Sequence, residues 1–433
     1  MNPVERTQPT KRLAWLDVLR GIAACAVAAH HAAGWFLPDL YRHTSRWFNL
    51  GIWGVLVFFL VSGYVIPASL EKTGSLRRFW IGRLFRIHPL VVVAVCGVGV
   101  LAVGNITASS ARALSHAEPI TAALAHGFLL QEMLNVPNAI VVMWTLSYEM
   151  VFYLLAAGLF AVGLHRRSAP IAVSLATVGF VLGAVVPAAF LSRHVGTVPV
   201  IAVAALLLAA AIAASVARPT GSLRTVGAVL GAVVALLLVT LNSRSGIGWS
   251  CALLAMMFTG TVLHRADQGR LRRSTAALTT AVVAVLAVVA GFWNSGVPAG
   301  VEKDYSTYPR EWAIALVLAV AAFVAGRALS NRRMPGALAW LGTVSYSVYL
   351  IHPLLMAAML AILPESQWGP AAFVAYFAIL LPVSWLSYRI VEIPMQNLGR
   401  RLARRADPAP PSSSAAAPAE VPAPAPAERL EVL

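Results

Sequence analysis

Apolar runs of about 20 residues recur along the whole chain, separated by short polar connections, and this repetition limits the fold more than any other feature. A helix rising ~1.5 Å per residue needs roughly 20 apolar residues to cross a bilayer, where every backbone N–H and C=O must find a partner inside the protein. The runs lie at 13–36, 50–70, 87–104, 139–164, 170–191, 197–216, 223–241, 247–264, 275–293, 312–329, 337–363 and 371–392. They predict an all-α, polytopic membrane bundle of 10–12 transmembrane helices, the lower figure applying if adjacent weak runs such as 197–216 and 223–241 are not both spans. Charged residues make up only 12% of the chain, against about 25% in a soluble domain. Three segments are expected: a cytoplasmic N-terminal segment at 1–12, a membrane domain at 13–400, and a disordered Pro/Ala-rich cytoplasmic tail at 401–433.

The net charge of +16 would suit a nucleic-acid binder, but its distribution argues otherwise. Most of the basic residues fall in alternate connections and at the two termini, the asymmetry that orients membrane proteins with their positive loops inside. The charge is therefore an orientation signal first, placing both termini in the cytoplasm, and an attraction to anionic headgroups or an anionic cofactor second. No nucleic-acid partner is implied. Basic residues that are almost all arginine, with Ala/Val-rich spans, suggest a bacterial source and hence the bacterial cytoplasmic membrane. Cys25, Cys96 and Cys251 sit in apolar stretches without paired spacing, which argues against disulfides and a thiolate metal site. Asp17 and Arg20 interrupt the first run, so it reads as a retained span and not as a cleaved leader.

Four polar stripes stand out against this apolar background. In the first span, Arg20 and His31 are eleven residues apart, which returns them to within ~20° of one helix face about 16 Å apart along the axis. Asp17 lies on that side one turn below Arg20, whereas His30 points about 100° away. Taken alone this face also fits an arginine reaching for headgroups. In 79–90, Arg83 and Arg86 share a face at the entrance of the third span; they satisfy the positive-inside rule and equally suit a bidentate phosphate clamp. In 143–155, Glu149 sits mid-span with Tyr153 one turn on, and pairing with Arg20 or a protonated histidine would stabilise it. In 341–355, Ser345, Tyr349 and His352 form a stripe on one face. Ser62-Gly63 reads as a close helix contact.

In this order, LDVLRGIAACAVAAHH, FFLVSGYVI, GRLFRIHPL, WTLSYEMVFYLL, LGTVSYSVYLIHPLL and IVEIPMQNLGRR resemble the bacterial acyltransferase-3 family of integral-membrane O-acyltransferases, which modify sugar hydroxyls on glycans and glycosylated natural products. The resemblance spans residues 13 to 400. It implies His31 as the essential histidine with Arg20 as its motif partner, Arg83 and Arg86 as the paired arginines, Glu149 as the acid of its motif, and His352 as the later histidine. The chain departs from the pattern in carrying Tyr148 where valine is common, Met150 where a second acid is frequent, and the tandem His30-His31; no hydrolase-like domain follows the bundle.

The chemistry is compatible. A sugar hydroxyl attacking an acyl thioester needs a base, and neutral imidazole suits that work. His31 is the expected base, with Glu149 or Asp17 as electrostatic partner and His352 as a second catalytic or orienting group. Arg20, Arg83 and Arg86 would hold the phosphates of acyl-CoA, a donor substrate (acetyl-CoA the first choice) and not a resident cofactor. Tyr349, Ser345 or backbone groups are the expected donors to the developing oxyanion. A proton-coupled secondary transporter is the rival reading, since intramembrane His, Glu and Arg suit that role too. The polar groups do not repeat in two halves, which counts against it.

Overall fold

The computed structural model describes residues 14–104, 106, 114, 117–217, 221–293 and 308–406. Among the described residues all regular structure is helical, with no strand. In chain order the helices are α1 (Ala14–Phe36), α2 (Pro38–Ser45), α3 (Leu50–Thr73), α4 (Leu76–Val103), α5 (Pro119–Gly127), α6 (Trp144–Ala161), α7 (Ser168–Leu182) and α8 (Phe190–Val195). They continue as α9 (Thr197–Val216), α10 (Gly221–Leu241), α11 (Gly246–Asp267), α12 (Arg273–Trp293), α13 (Tyr308–Ala328), α14 (Gly336–Ile362), α15 (Pro370–Ser387) and α16 (Ile393–Ala406). A 3-10 turn at Val141–Met143 leads into α6, and a π-helical turn at Tyr388–Glu392 joins α15 to α16.

Ten of these helical segments are long and apolar enough to cross a membrane. Two predicted spans stand outside that set. α1 has the length, 23 residues, but Asp17, Arg20, His30 and His31 lower its hydropathy. α7 has only 15 residues, because the chain leaves the helix before Pro187 and restarts at α8 with Ala189 left-handed (φ 54°). α4 begins at Leu76, well before the run at 87–104, so its arginines are helical. The Ser75 side chain caps it by accepting from the Arg78 N–H, directly after Gly74 ends α3 in the left-handed conformation (φ 62°) that glycine tolerates. α16 runs to Ala406, past the boundary expected at 400. The N-terminal segment 1–12, the loop residues Glu302, Lys303, Asp304 and Tyr305, and the Pro/Ala tail from 407 lie outside the described residues.

α1 is the centre of the site-bearing half, lying between α3 and α14. Its contact with α14 is backbone to backbone. A Cβ on Gly342 would collide with the Asp17 backbone, and one on Gly21 would sit 2.6 Å from Leu341 Cβ. Without a hydrophobic drive between helices in lipid, such small-residue contacts are a main source of association. α3 packs antiparallel on the other side of α1, with Gly54 against the Ala23 carbonyl and Val27. Gly63 and Gly260 let α3 and α11 touch in the same way. α6 and α11 form the buried interior, whereas α4, α9 and α12 present most of their surface outward. The Ala/Val-rich middle of the chain is thus not uniform scaffold: α11 lies at its core.

Polar locks close both ends of the bundle. At the arginine-rich end, Glu71 pairs with Arg265 and with Arg270 (2.9 Å), and Asp267 pairs with Arg327 and accepts from the Tyr64 hydroxyl (3.0 Å). At the opposite end α5 is a short helix, and the chain then turns inward, fully burying Leu129, Leu130, Met133 and Leu134. Glu132 is buried there, accepting from Ser245 Oγ (2.7 Å) and Asn138 Nδ2 (3.4 Å). Burial pushes its carboxyl above the ordinary carboxylate range.

Two outcomes test this account. Gly342→Leu should cost about 3 kcal/mol by overpacking and lower the thermal unfolding midpoint in detergent. Because folded Glu132 holds its proton more tightly than the unfolded chain, its contribution favours folding at low pH and is lost as pH rises through the raised folded value. Glu132→Gln should therefore flatten the fall of the unfolding midpoint as pH is raised above about 4.5, the ordinary value.

Candidate active site

The parallel register of α1 and α14 brings His31 against His352, residues 321 positions apart. His31 Nδ1 lies 3.0 Å from His352 Nε2, with ring centroids 5.1 Å apart and planes tilted by 35°. His352 is wholly buried; His31 is partly exposed. The tautomers follow from one further contact, His352 Nδ1 to the Val348 carbonyl at 3.2 Å. A carbonyl only accepts, so in the neutral ring Nδ1 carries the hydrogen and Nε2 the lone pair. His31 must then donate from Nδ1, which leaves its Nε2 as a free lone pair. Pro353 contributes too. It has no N–H, so the Tyr349 carbonyl lacks its helical partner, and this carbonyl also lies within reach of the His352 ring. His30 is on another face, packed against Gly51 and the Tyr41 ring (5.1 Å).

Two hydroxyls expected near the reacting oxygen are already engaged. Tyr349 Oη donates to the Val142 carbonyl (3.2 Å) and lies 2.8 Å from Thr145 Oγ1. Ser345 Oγ donates to the Gly342 carbonyl of its own helix (2.9 Å). Neither is aimed at the histidine pair.

A second cluster occupies the stretch between this pair and the arginine-rich end. Arg20 from α1 lies within electrostatic range of Arg83 and Arg86 from α4 and of Asp17 and Glu149, and Glu392 lies within range of Arg86. No ion pair joins any of the three arginines to a carboxylate among the described residues. Arg83 instead lies over the rings of Phe79 (5.3 Å) and Tyr153 (5.1 Å). Glu149, in the second turn of α6, accepts from Tyr153 Oη at 2.5 Å. Asp17 and Glu149 therefore sit with the arginines and not beside His31.

Four participants carried no assigned role in the sequence reading. Tyr153 is fully buried between α4 and α6. Tyr346 donates to the Ile87 carbonyl (2.9 Å) and ties α14 to α4. Ser347 donates to Glu392 Oε1 at 2.5 Å, and Glu392, 5% exposed, projects from the π-helical turn. Glu392 had a readable signal: it is the lone acid between Glu365 and Asp407, in a stretch that carries Arg389, Arg400, Arg401, Arg404 and Arg405.

The chain is similar to known acyltransferases. A family model described as an acyltransferase domain, acyltransferase-3, matches residues 13–389. A Staphylococcus aureus (strain COL) protein named "Putative O-acetyltransferase" is 37% identical over 105 residues, 23% of this chain and 16% of that protein. Nodulation protein 10 of Rhizobium leguminosarum bv. viciae is 30% identical over 188 residues, 38% of this chain and 48% of that protein. Acyltransferase MdmB of Streptomyces mycarofaciens is 33% identical over 152 residues, 33% of this chain and 38% of that protein. The matches thus span less than half the length of these curated relatives. No solved structure matches the chain. With nearly all of its membrane bundle covered by the family model, and the histidine and arginine motifs drawn together in space, the chain belongs to the acyltransferase-3 family of multi-pass membrane acyltransferases.

Proposed function

We propose that the protein transfers an acyl group, acetyl as the first choice, from acyl-CoA to a sugar hydroxyl of a glycan or glycosylated natural product. The observation that carries this is the His31–His352 pair, whose hydrogen bonds leave the His31 Nε2 lone pair free about three helical turns from three arginines that form no ion pair among the described residues. The O-acetyltransferase name of the Staphylococcus relative supports acetyl.

In this reading Arg20, Arg83 and Arg86 hold the CoA phosphates, since guanidiniums not already paired with carboxylates are the natural partners of a polyanion. The thioester extends along α1 towards His31, over the ~16 Å that eleven helical residues provide. His31 Nε2 takes the proton of the acceptor hydroxyl as its oxygen bonds to the thioester carbonyl carbon. His352 Nε2 accepts from His31 Nδ1–H throughout, orienting the ring and spreading the imidazolium charge. Collapse of the tetrahedral oxyanion breaks the C–S bond, and the leaving thiolate recovers the proton from His31. Backbone N–H groups are the remaining candidates to stabilise the oxyanion, because Tyr349 and Ser345 are engaged elsewhere. The arginine-rich ends face the cytoplasm, where CoA is found, in a bacterial inner membrane.

Mass spectrometry of cell-surface glycans and glycosylated metabolites, with and without the gene, tests the reaction. An acyl mass should vanish on deletion and return with wild type or His30→Ala. His31→Ala should lower transfer by ~10³-fold or more, and His352→Ala by ~10²-fold. Normal complementation by His31→Ala would overturn the assignment. Arg83→Gln or Arg86→Gln should weaken CoA binding to the detergent-solubilised protein by ~10-fold or more, measured by calorimetry, more steeply at low salt.

A further inference from the structure

The arginine cluster combines two features that pull against each other. Opposite charges in a low-dielectric interior attract strongly, so Glu149 and Glu392 would be expected to close onto Arg83, Arg86 or Arg20 and cancel their charge. They do not. Glu149 and Glu392 each accept instead from a hydroxyl at 2.5 Å, Glu149 from Tyr153 and Glu392 from Ser347. That length falls in the range of charge-assisted O–H···O⁻ bonds.

Both hydroxyls are held by the fold. Tyr153 is one turn from Glu149 on α6, and its ring is fixed between the Phe79 ring (5.7 Å) and the Arg83 guanidinium (5.1 Å). The same residue therefore occupies the space between the acid and the base. Ser347 projects from α14, completely buried, towards the π-helical turn that carries Glu392. A single π turn inside a helix re-aims the side chains it carries and is frequent at functional sites. Gln396 Nε2 adds a weaker contact to the other Glu392 oxygen (3.4 Å).

We infer that Tyr153 and Ser347 are positioning residues, hydroxyl caps that keep Glu149 and Glu392 from neutralising the arginines and so hold the cluster open for a polyanion. The inference rests on the reading that the cluster takes the donor's phosphates. Glu149 and Glu392 then orient the arginines at a distance and leave the guanidinium N–H groups for the ligand.

The test is calorimetric binding of coenzyme A to full-length protein in detergent. Tyr153→Phe keeps the ring under Arg83 and removes only the cap, and should weaken binding about tenfold, ~1.4 kcal/mol. In Tyr153→Phe/Glu149→Gln the uncapped carboxylate is gone, and affinity should return to within about twofold of Glu149→Gln alone. Damage to packing would not be repaired by a second substitution of this kind. Ser347→Ala with Ser347→Ala/Glu392→Gln forms a separate pair, in case one tyrosine variant does not fold. Unchanged binding in both cap variants, or a loss that the Gln substitutions do not rescue, overturns the inference while leaving the clamp intact. Wild-type protein that binds no coenzyme A overturns the clamp and this inference with it.

Discussion

The backbone contact between α1 and α14 is the constraint on which the site depends. Gly21 and Gly342 bring two parallel helices closer than side chains would allow, and Asp17 lies against Gly342 at the same level. Parallel helices share one rise per residue, so a contact fixed near Gly21 and Gly342 also fixes the register three turns further on. There His31 meets His352 at 3.0 Å. A slide of one residue along either helix would rotate one imidazole by ~100° and break the pair.

From that register the remaining chemistry follows outward. The Val348 carbonyl sets the His352 tautomer, His352 sets that of His31, and the free nitrogen is left on the partly exposed ring. α14 also carries Tyr346 and Ser347, which tie it to α4 and to the π-helical turn, so the elements bearing the histidines and the arginines form one connected unit. Charges inside a bundle are costly unless compensated. Here three arginines share one region with Asp17, Glu149 and Glu392, and among the described residues none of the three arginines closes into an ion pair with a carboxylate. The contrast with the other arginine-rich corner is informative. There Glu71, Asp267, Arg265, Arg270 and Arg327 close into direct ion pairs, as a structural lock should.

Much of this was legible beforehand, and the reasons differ by residue. The Arg20–His31 spacing on one face follows from helical periodicity alone, and the structure keeps both on the inward side of α1 with His30 turned elsewhere. Arg83, Arg86 and Glu149 were marked as candidates by the cost of placing such groups near or within a span. Their partners were not. Glu149 reads as the natural mate of Arg20 or a histidine, yet it takes Tyr153, which was visible only as a neighbour one turn away. Glu392 was part of a recurring motif but had no role until the π turn placed it against Ser347.

The sequence by itself determined the class of fold, the positions of most of the spans, the charge asymmetry and the face on which each polar residue stands. Those properties are local: they depend on hydropathy, on capping residues such as Ser75, and on a period of 3.6. Tertiary structure alone decided which faces meet. His31 with His352, Ser347 with Glu392, and Arg83 over Tyr153 are contacts between different elements, set by interhelical register and by where glycine permits close approach. Periodicity within one helix carries no information about its neighbour's register, so these pairings could come only from the packed bundle.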